Sequence, residues 1–399
     1  MEKKINVAIY SGIIPAPNFI ENLIKLIVDE KINIYLFGHG NSVNYKNSNI
    51  KTFFTPQGKL NIICFVFFQL FRLCIYYPKK LYKLVQNHKV FSKSGSIFIS
   101  LSKILPVLNH TPDIFHIQWA KSLPFWFFLK DIYGVKIVLS LRGSHINYSP
   151  YANDSLTRNY NILFPKVDRM HAVSRKISFK AEKLGANRSK TDIIYSALDL
   201  DLLKAYKKKN YEPHRPFRFL SVGRFHWVKG YQYSISAFAK LKKIDKNIHY
   251  SIVSNNGISE EILYQIDELS LNNNIEIVYP HSQENVYKIM RGSDCLILPS
   301  VQEGISNVVL ESMAIGLPII SSDCGGMKEI INYGRNGFYF PARDSIALEK
   351  LLLKVMNLGI EERGRIIKHG GEYINQNFNP KLIKNQFHNF YKKTMEIRI

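Results

Sequence analysis

The chain has 399 residues, 46% of them hydrophobic and 21% charged. That is an ordinary globular composition, and the length exceeds what one core fills, so two domains are expected. The formal charge of +23 is uneven: residues 1–210 hold 31 Lys+Arg against 12 Asp+Glu, and residues 211–399 hold 23 against 19.

A basic half of this kind serves solubility, or meets nucleic acid or an anionic membrane. There is no zinc-finger spacing, RNP-like strand or aromatic-basic repeat, so nucleic acid finds no support as a partner. Cys64, Cys74, Cys295 and Cys324 form no CxxC pair and no regular framework. They read as reduced, mostly buried residues of a cytosolic protein.

In chain order, "INVAIYSG" (5–12) predicts a strand ending at Gly12, reached too early for a secretory leader. "NFIENLIKLIVDE" (18–30) places apolar residues at 19, 20, 23, 24, 27 and 28, which is helix spacing. Buried strands follow at 32–38, 114–119, 135–143 and 169–174, with room for helices between them, as in a doubly wound parallel sheet. The segment "IICFVFFQLFRLCIYYPKKLYKLV" (62–85) is apolar nearly all round, with Lys79, Lys80 and Lys83 after Pro78. It reads either as a buried helix or as one lying in lipid headgroups, and the basic half favours the second. No uninterrupted apolar run reaches about 18 residues, so no segment is expected to span a bilayer.

The pattern lapses over 199–216, "DLDLLKAYKKKNYEPHRP", where a linker is expected. It then restarts, with strands at 217–225, 248–255, 275–280, 294–300 and 318–323 and a helix at 230–243. Two sheets of one kind imply two Rossmann-like lobes. Ligands of such sheets bind outside the carboxyl ends of the strands, so the cleft between two facing lobes is the expected site.

The residues suited to chemistry cluster in "EGISNVVLESMAIGLPII" (303–320). A helix is expected from Ser306, a good N-cap type, to Gly316 with Pro318 beyond. The free N–H groups of Ser306, Asn307 and Val308 and the positive end of its dipole suit a phosphate. Glu303 precedes this helix and Glu311 lies inside it. The plainer reading is an acidic complement to the dipole. Arg224 and Lys229 flank glycines after a strand, which weighs against a merely solvated face. Gly325 and Gly326 open another strand-to-helix turn. No DxD motif or spaced His/carboxylate cluster suggests a metal site.

The stretch 303–337 resembles the signature of retaining GT-B glycosyltransferases of glycosyltransferase family 4. It has E-x7-E (Glu303, Glu311), then Gly316-Leu317-Pro318, Gly325-Gly326 and Asn336-Gly337. "SVGRFHWVKG" (221–230) resembles the family's phosphate loop, and "GIIPAPNFIENLIKLI" (12–27) the opening of exopolysaccharide and colanic-acid-type transferases.

The resemblance implies a GT-B fold, with an amino-terminal acceptor-side lobe over 1–200 and a nucleotide-sugar lobe over 201–379. A C-terminal helix, about 380–399, crosses back onto the first lobe. Glu303 is implied to bind donor-sugar hydroxyls, Glu311 the ribose, and Arg224 and Lys229 the diphosphate. Gly12 is implied to lie beside that diphosphate.

"SLRGSHI" (140–146) stands where relatives commonly read H-G-x-D, so Arg142 and His145 can touch the sugar or phosphate. Arg142 stays charged and cannot shuttle a proton, whereas His145 can shuttle one or bond the backbone. His116, in "IFHIQW", is either an acceptor or sugar contact or a core residue.

The expected protein is a peripheral enzyme on the cytoplasmic face of the plasma membrane. It uses a nucleotide-diphosphate sugar without cofactor or metal, and serves a lipid-linked acceptor in capsule, O-antigen or exopolysaccharide synthesis. A GT-B-shaped nucleotide-sugar epimerase and a non-catalytic nucleotide-sugar-binding module are the alternatives.

Overall fold

Short β-branched runs alternating with helical spacing fold into two parallel sheets in the computed structural model, which describes residues 4–40, 45–88, 96–208 and 211–397. Met1–Val173, Ser178–Ser196 and Ile383–Ile399 form one compact unit, and Ser174–Ile177 with Ala197–Leu382 the other.

The amino-terminal unit holds β1 (Ile5–Ile14), β2 (Ile32–Gly40), β3 (Ile50–Thr55), β4 (Ile114–Ile117), β5 (Lys136–Leu141), β6 (Arg169–Ala172) and β7 (Thr191–Ile193). Their order is β3-β2-β1-β4-β5-β6-β7, parallel throughout. The strand order reverses between β1 and β4, the switch point where such sheets bind ligands. β1 runs past its predicted end: a register shift between Tyr10 and Gly12 lets pairing with β2 continue to Ile14. β3 and β7 went unread because each is short and partly exposed.

Helix α1 (Asn18–Ile27) buries Ile20, Leu23, Ile24 and Ile27, one face of a 3.6-residue period, and stops at Val28, which turns extended. The apolar segment splits into α2 (Lys59–Tyr76) and α3 (Pro78–Gln86), with Pro78 opening the second helix. It is not a core helix. α4 (Ile97–His110) takes the place against β2 and β3, and α2 packs on α4 through the narrow stripe Val66, Gln69 and Leu73. Asn109 Nδ2 donates to Gln69 Oε1 at 2.7 Å across that contact.

The remaining faces of α2 stay out: Leu60 is 78% exposed, Phe67 62% and Phe71 64%. Its 18 residues are also long and apolar enough to cross a bilayer by length and composition, and most of them are not buried in the protein. Cys64 and Cys74 lie exposed on this helix, whereas Cys295 and Cys324 are buried.

The carboxyl-terminal unit holds β8 (Phe217–Val222), β9 (Ile248–Val253), β10 (Ile275–Val278), β11 (Cys295–Leu298), β12 (Ile319–Ser322) and β13 (Phe338–Phe340). They are ordered β10-β9-β8-β11-β12-β13 and again parallel throughout. The strands are apolar on both faces, as helix-covered parallel sheets require. Phe217, Phe219, Phe238 and Tyr250 centre the core. The buried Tyr250 hydroxyl is satisfied by Ser221 Oγ at 2.7 Å and Ser234 Oγ at 2.9 Å.

The segment read as a linker is anchored rather than loose. Asp199 caps the helix Leu200–Lys204, and buried Asp294 accepts from Lys208 Nζ at 3.4 Å, His214 N and Arg218 N. At the end of the chain, the helix Pro380–Met395 buries Ile383, Phe387, Phe390 and Tyr391. Within the amino-terminal unit, Lys384 pairs with Asp29 at 3.1 Å and His388 Nε2 bonds Ile27 O at 3.1 Å.

Candidate active site

In the carboxyl-terminal unit the switch point lies between β8 and β11, and the loops there carry the predicted cations and Glu303. After β8 the chain turns through Gly223–Gly230. Two glycines make this turn possible. Gly230 has φ 65° and its absent Cβ would lie 2.3 Å from Pro299 O; Gly223 has φ 155° and faces Lys229 Cε at 3.2 Å. Tyr231 Oη closes the loop by donating to Gly223 O at 2.8 Å, and Asn256 Oδ1 accepts from Phe225 N at 2.8 Å.

The loop delivers Lys229 Nζ to Glu303 Oε1 at 2.7 Å. Ser300 Oγ, at the end of the β11 segment, donates to the same oxygen at 2.9 Å. Arg224 is exposed and, among the described residues, has no carboxylate partner. Gly325 (φ 55°) and Gly326 pack onto the Glu303 loop. A Cβ on Gly325 would sit 1.9 Å from Glu303 O, and Gly326 N donates to Gly304 O at 2.8 Å. These glycines therefore set the position of Glu303.

The helix Asn307–Ile315 begins where expected and ends at Gly316 with φ 95°. Ser306 occupies the N-cap position, yet its hydroxyl makes no capping bond. The first-turn N–H groups of Asn307 and Val308 have no intrahelical acceptor. Glu311 lies on this helix with Tyr287 Oη donating to its Oε1 at 3.3 Å. Burial raises its carboxyl from 4.5 to about 7, against the opposing effect of that bond. Asn336 clamps its own turn, Oδ1 accepting from Asn332 N at 2.7 Å and Nδ2 donating to Ile330 O at 3.0 Å. The Asn-Gly signature is structural here.

In the amino-terminal unit Gly12 (φ 81°) lies in the β1 bulge, and no atom lies within 4 Å of its Cβ position. Arg142 ends the β5 segment: its guanidinium lies 4.4 Å from the Phe19 ring, and Nη2 donates to Gln118 Oε1 at 3.1 Å. Burial lowers its pKa to about 10, so it remains charged. His145 follows in the short helix Gly143–Asn147. Burial, with Lys121 nearby, lowers it to about 4 and leaves it neutral.

His116 is not a ligand contact in this arrangement. It is fully buried, with Nδ1 bonded to Tyr391 Oη at 2.8 Å and Nε2 to Ser140 Oγ at 2.9 Å. Ser140 Oγ continues to His171 Nδ1 at 2.9 Å, and His171 Nε2 to Ile194 O at 2.7 Å. The carbonyl only accepts, so with neutral imidazoles every proton in the row is placed: His171 carries its hydrogen on Nε2, Ser140 donates to His171, His116 donates from Nε2, and Tyr391 donates to His116. Burial favours these neutral forms, pushing His171 down to about 3 and lowering His116 well below its usual value.

The two units thus divide the predicted residues. Lys229, Glu303, Gly325 and Gly326 meet in one loop system. Arg224 and the Ser306–Val308 turn belong to the same unit, as does Glu311. Gly12, Arg142, His145 and His116 belong to the other. Sequence reasoning missed Ser300, Asn256, Tyr231 and Tyr287, which orient the carboxylates and the cation loop, and Gln118. Ser300 and Gln118 at least end strand-like runs, where site residues gather; Tyr287 carried no signal. Among the described residues no group of three or more His, Cys, Asp or Glu side chains gathers in a metal-binding arrangement.

Residues 204–372 match the family described as glycosyl transferases group 1. The chain is 25% identical over 236 residues to WcaL of Escherichia coli, named for colanic acid biosynthesis, a match covering 58% of each chain. It is 27% identical over 204 residues to the amylovoran biosynthesis glycosyltransferase AmsK of Erwinia amylovora, covering half of each. The chain therefore spans little more than half the length of these relatives. The crystal structure of Anabaena HepE in complex with UDP superposes with a TM-score of 0.69 at 17% identity over 98% of this chain and 99% of that one. At that identity the likeness establishes the fold, two doubly wound parallel sheets of the GT-B class. Residues 204–372 are therefore similar to the group 1 glycosyltransferases.

Proposed function

We propose that the chain is a retaining, metal-independent transferase. It moves a sugar from a nucleoside diphosphate to a lipid-linked glycan acceptor during assembly of a bacterial capsule, O-antigen or exopolysaccharide. The observation that carries this reading is the Lys229–Glu303 pair, fixed by Ser300 and the two glycines at the switch point of the carboxyl-terminal sheet. The named roles of WcaL and AmsK support the glycan context, and the UDP complex of HepE supports the donor class.

In this reading the donor diphosphate lies against Arg224, Lys229 and the N–H groups of Ser306, Asn307 and Val308, with Gly325 and Gly326 allowing close backbone approach. Glu303 exchanges its bond to Lys229 for hydroxyls of the donor sugar, which frees the ammonium for the phosphate. Glu311 takes the ribose hydroxyls. The bond from the anomeric carbon to the phosphate oxygen breaks as the acceptor oxygen bonds that carbon on the same face. The leaving phosphate oxygen takes the acceptor's proton, so the products are a glycoside and a nucleoside diphosphate. Charge grows on the departing diphosphate, where fixed cations and helix N–H groups stabilise it most. Arg142 and His145 serve the sugar or acceptor side.

The enzyme works at the cytoplasmic face of the plasma membrane. The exposed aromatic faces of α2 and α3, beside Lys59 and Lys79 on the strongly basic half of the sequence, fit an anionic bilayer surface. Incubation with a panel of nucleotide sugars, with and without membrane-extracted acceptor, tests the assignment. Nucleoside diphosphate released only with acceptor supports transfer, whereas an isomerised donor without acceptor makes the chain an epimerase. Full transfer by both Glu303→Ala and Lys229→Ala overturns the site.

A further inference from the structure

Arg142 is a largely buried cation that has not been given a counter-charge. Of its five N–H donors one is used, toward Gln118 Oε1, and its buried Nε has no acceptor. The guanidinium cannot accept, so the Gln118 amide must present its oxygen to Arg142, which turns Nε2 onward as a donor. That Nε2 is buried without a partner, on a residue only 1% exposed. His145 Nδ1, three residues beyond Arg142, is likewise buried and unpartnered.

Among the described residues the surroundings supply no negative charge. The Phe19 ring offers a π face, His116 and His171 are neutral, and Lys121 adds a second cation toward His145. Among the described residues no Asp or Glu pairs with Arg142. A buried charge without a partner is among the most destabilising features a fold can hold, and an orphaned buried amide adds to it. Such groups persist where a ligand completes them. They stand at the carboxyl ends of β4 and β5, beside the switch point of the amino-terminal sheet, where a parallel sheet binds its ligand.

We infer that Arg142, Gln118 and His145 form a receptor for a small oxyanion, a carboxylate or a phosphate. The inference rests on the transferase reading only for the anion's source, an acidic group on the acceptor. Binding itself requires no turnover, so a failed transferase assignment leaves it standing.

The test is a titration of the full chain, labelled at arginine, following the Arg142 Nε–H resonance. Sodium glucuronate and sodium phosphate are compared with sodium chloride at matched ionic strength. The expected result is a saturable shift with glucuronate or phosphate and none with chloride. A shift by glucuronate that persists in saturating UDP assigns the site to an acidic acceptor. A shift produced by UDP alone, and blocking glucuronate, overturns the assignment to an acidic acceptor. No saturable shift with any of them overturns the proposal.

Arg142→Met provides a second readout. Removing an uncompensated buried charge leaves the melting temperature without anion equal to or above that of the parent. It also abolishes the rise that anions give the parent, a rise that grows with the logarithm of ligand concentration. Arg224→Met keeps the rise with glucuronate. An Arg142→Met protein that melts lower yet keeps its anion response makes Arg142 a packing residue and overturns the proposal.

Discussion

The two sheets share one strand order through six strands, yet the carboxyl ends at their switch points are furnished in opposite ways. In the carboxyl-terminal unit the cation Lys229 has a carboxylate 2.7 Å away, a serine orients that carboxylate, and glycines with blocked Cβ positions hold the loop. In the amino-terminal unit the cation Arg142 has no such partner among the described residues, the neighbouring histidines are neutral and buried, and Gly12 has open space around it. Topology decides where a ligand can bind. The loop residues decide whether the site is neutralised before the ligand arrives or waits for it.

The largest effect should come from breaking the paired side. Lys229→Ala removes a fixed cation from the departing diphosphate and should lower the transfer rate about 10²–10³-fold, the range for losing one preorganised charge-stabilising donor. The melting temperature should move little, because a partly exposed pair adds only modestly to stability. Release of nucleoside diphosphate with acceptor measures the first and a thermal scan the second. An unchanged rate would make the Lys229–Glu303 contact a surface ion pair.

Next in size is a comparison of glycines across the units. Gly325→Ala must displace Glu303 O from 1.9 Å as well as hold a left-handed residue. It should cost about 1–3 kcal/mol, the range for a residue strained at a site, and weaken donor binding by moving Glu303. Gly12→Ala meets only the left-handed penalty, about 1–2 kcal/mol, and should leave binding of the free nucleotide intact. Thermal scans with and without UDP separate the two, and equal losses of binding would erase the contrast.

How much of this was legible in the sequence also differs between the units. The carboxyl-terminal site is written locally: Glu303, Glu311, the glycines and the helix start lie within 24 residues, and Arg224 and Lys229 share one loop. Spacing could therefore place them. The amino-terminal unit builds its polar row from Tyr391, His116, Ser140 and His171, residues 24 to 275 positions apart along the row, and no periodicity reports such a meeting. A lone histidine in an apolar strand reads equally as ligand or as core, and only Tyr391 on the C-terminal helix decides for core. The segment 62–85 was ambiguous for a related reason. Composition sets how apolar a helix is, whereas α4 taking the sheet-facing position is what left α2 outside.

Glu311→Gln probes the preformed site through pH. The unfolded carboxyl titrates at its ordinary 4.5 and the folded one at about 7. Between these values the unfolded chain has released its proton and the native state still holds it, so native stability falls as pH rises from 4.5 to 7 and stays reduced above. The neutral amide avoids that loss. The variant should match the parent's melting temperature near pH 4, melt higher at pH 8, and bind UDP-sugar more weakly through the lost ribose contact. A difference independent of pH would mean the carboxyl is not held neutral.

The smallest effect concerns two adjacent lysines that the sequence treats alike. Lys79 is exposed at the start of α3, whereas Lys80 turns inward, its Nζ donating to Leu108 O at 2.9 Å at the end of α4 and its pKa lowered by burial. A cation near an anionic leaflet contributes about 1 kcal/mol, so Lys79→Ala should lower partitioning onto anionic vesicles about fivefold at low salt. Lys80→Ala should leave partitioning nearly unchanged and lower the melting temperature instead, because it uncaps the carbonyl end of α4. Flotation beside a thermal scan reads both. If both variants float like the parent, the basic rim does not hold the protein to lipid, and Phe67→Ser with Phe71→Ser then shows whether the exposed aromatic face of α2 does so alone.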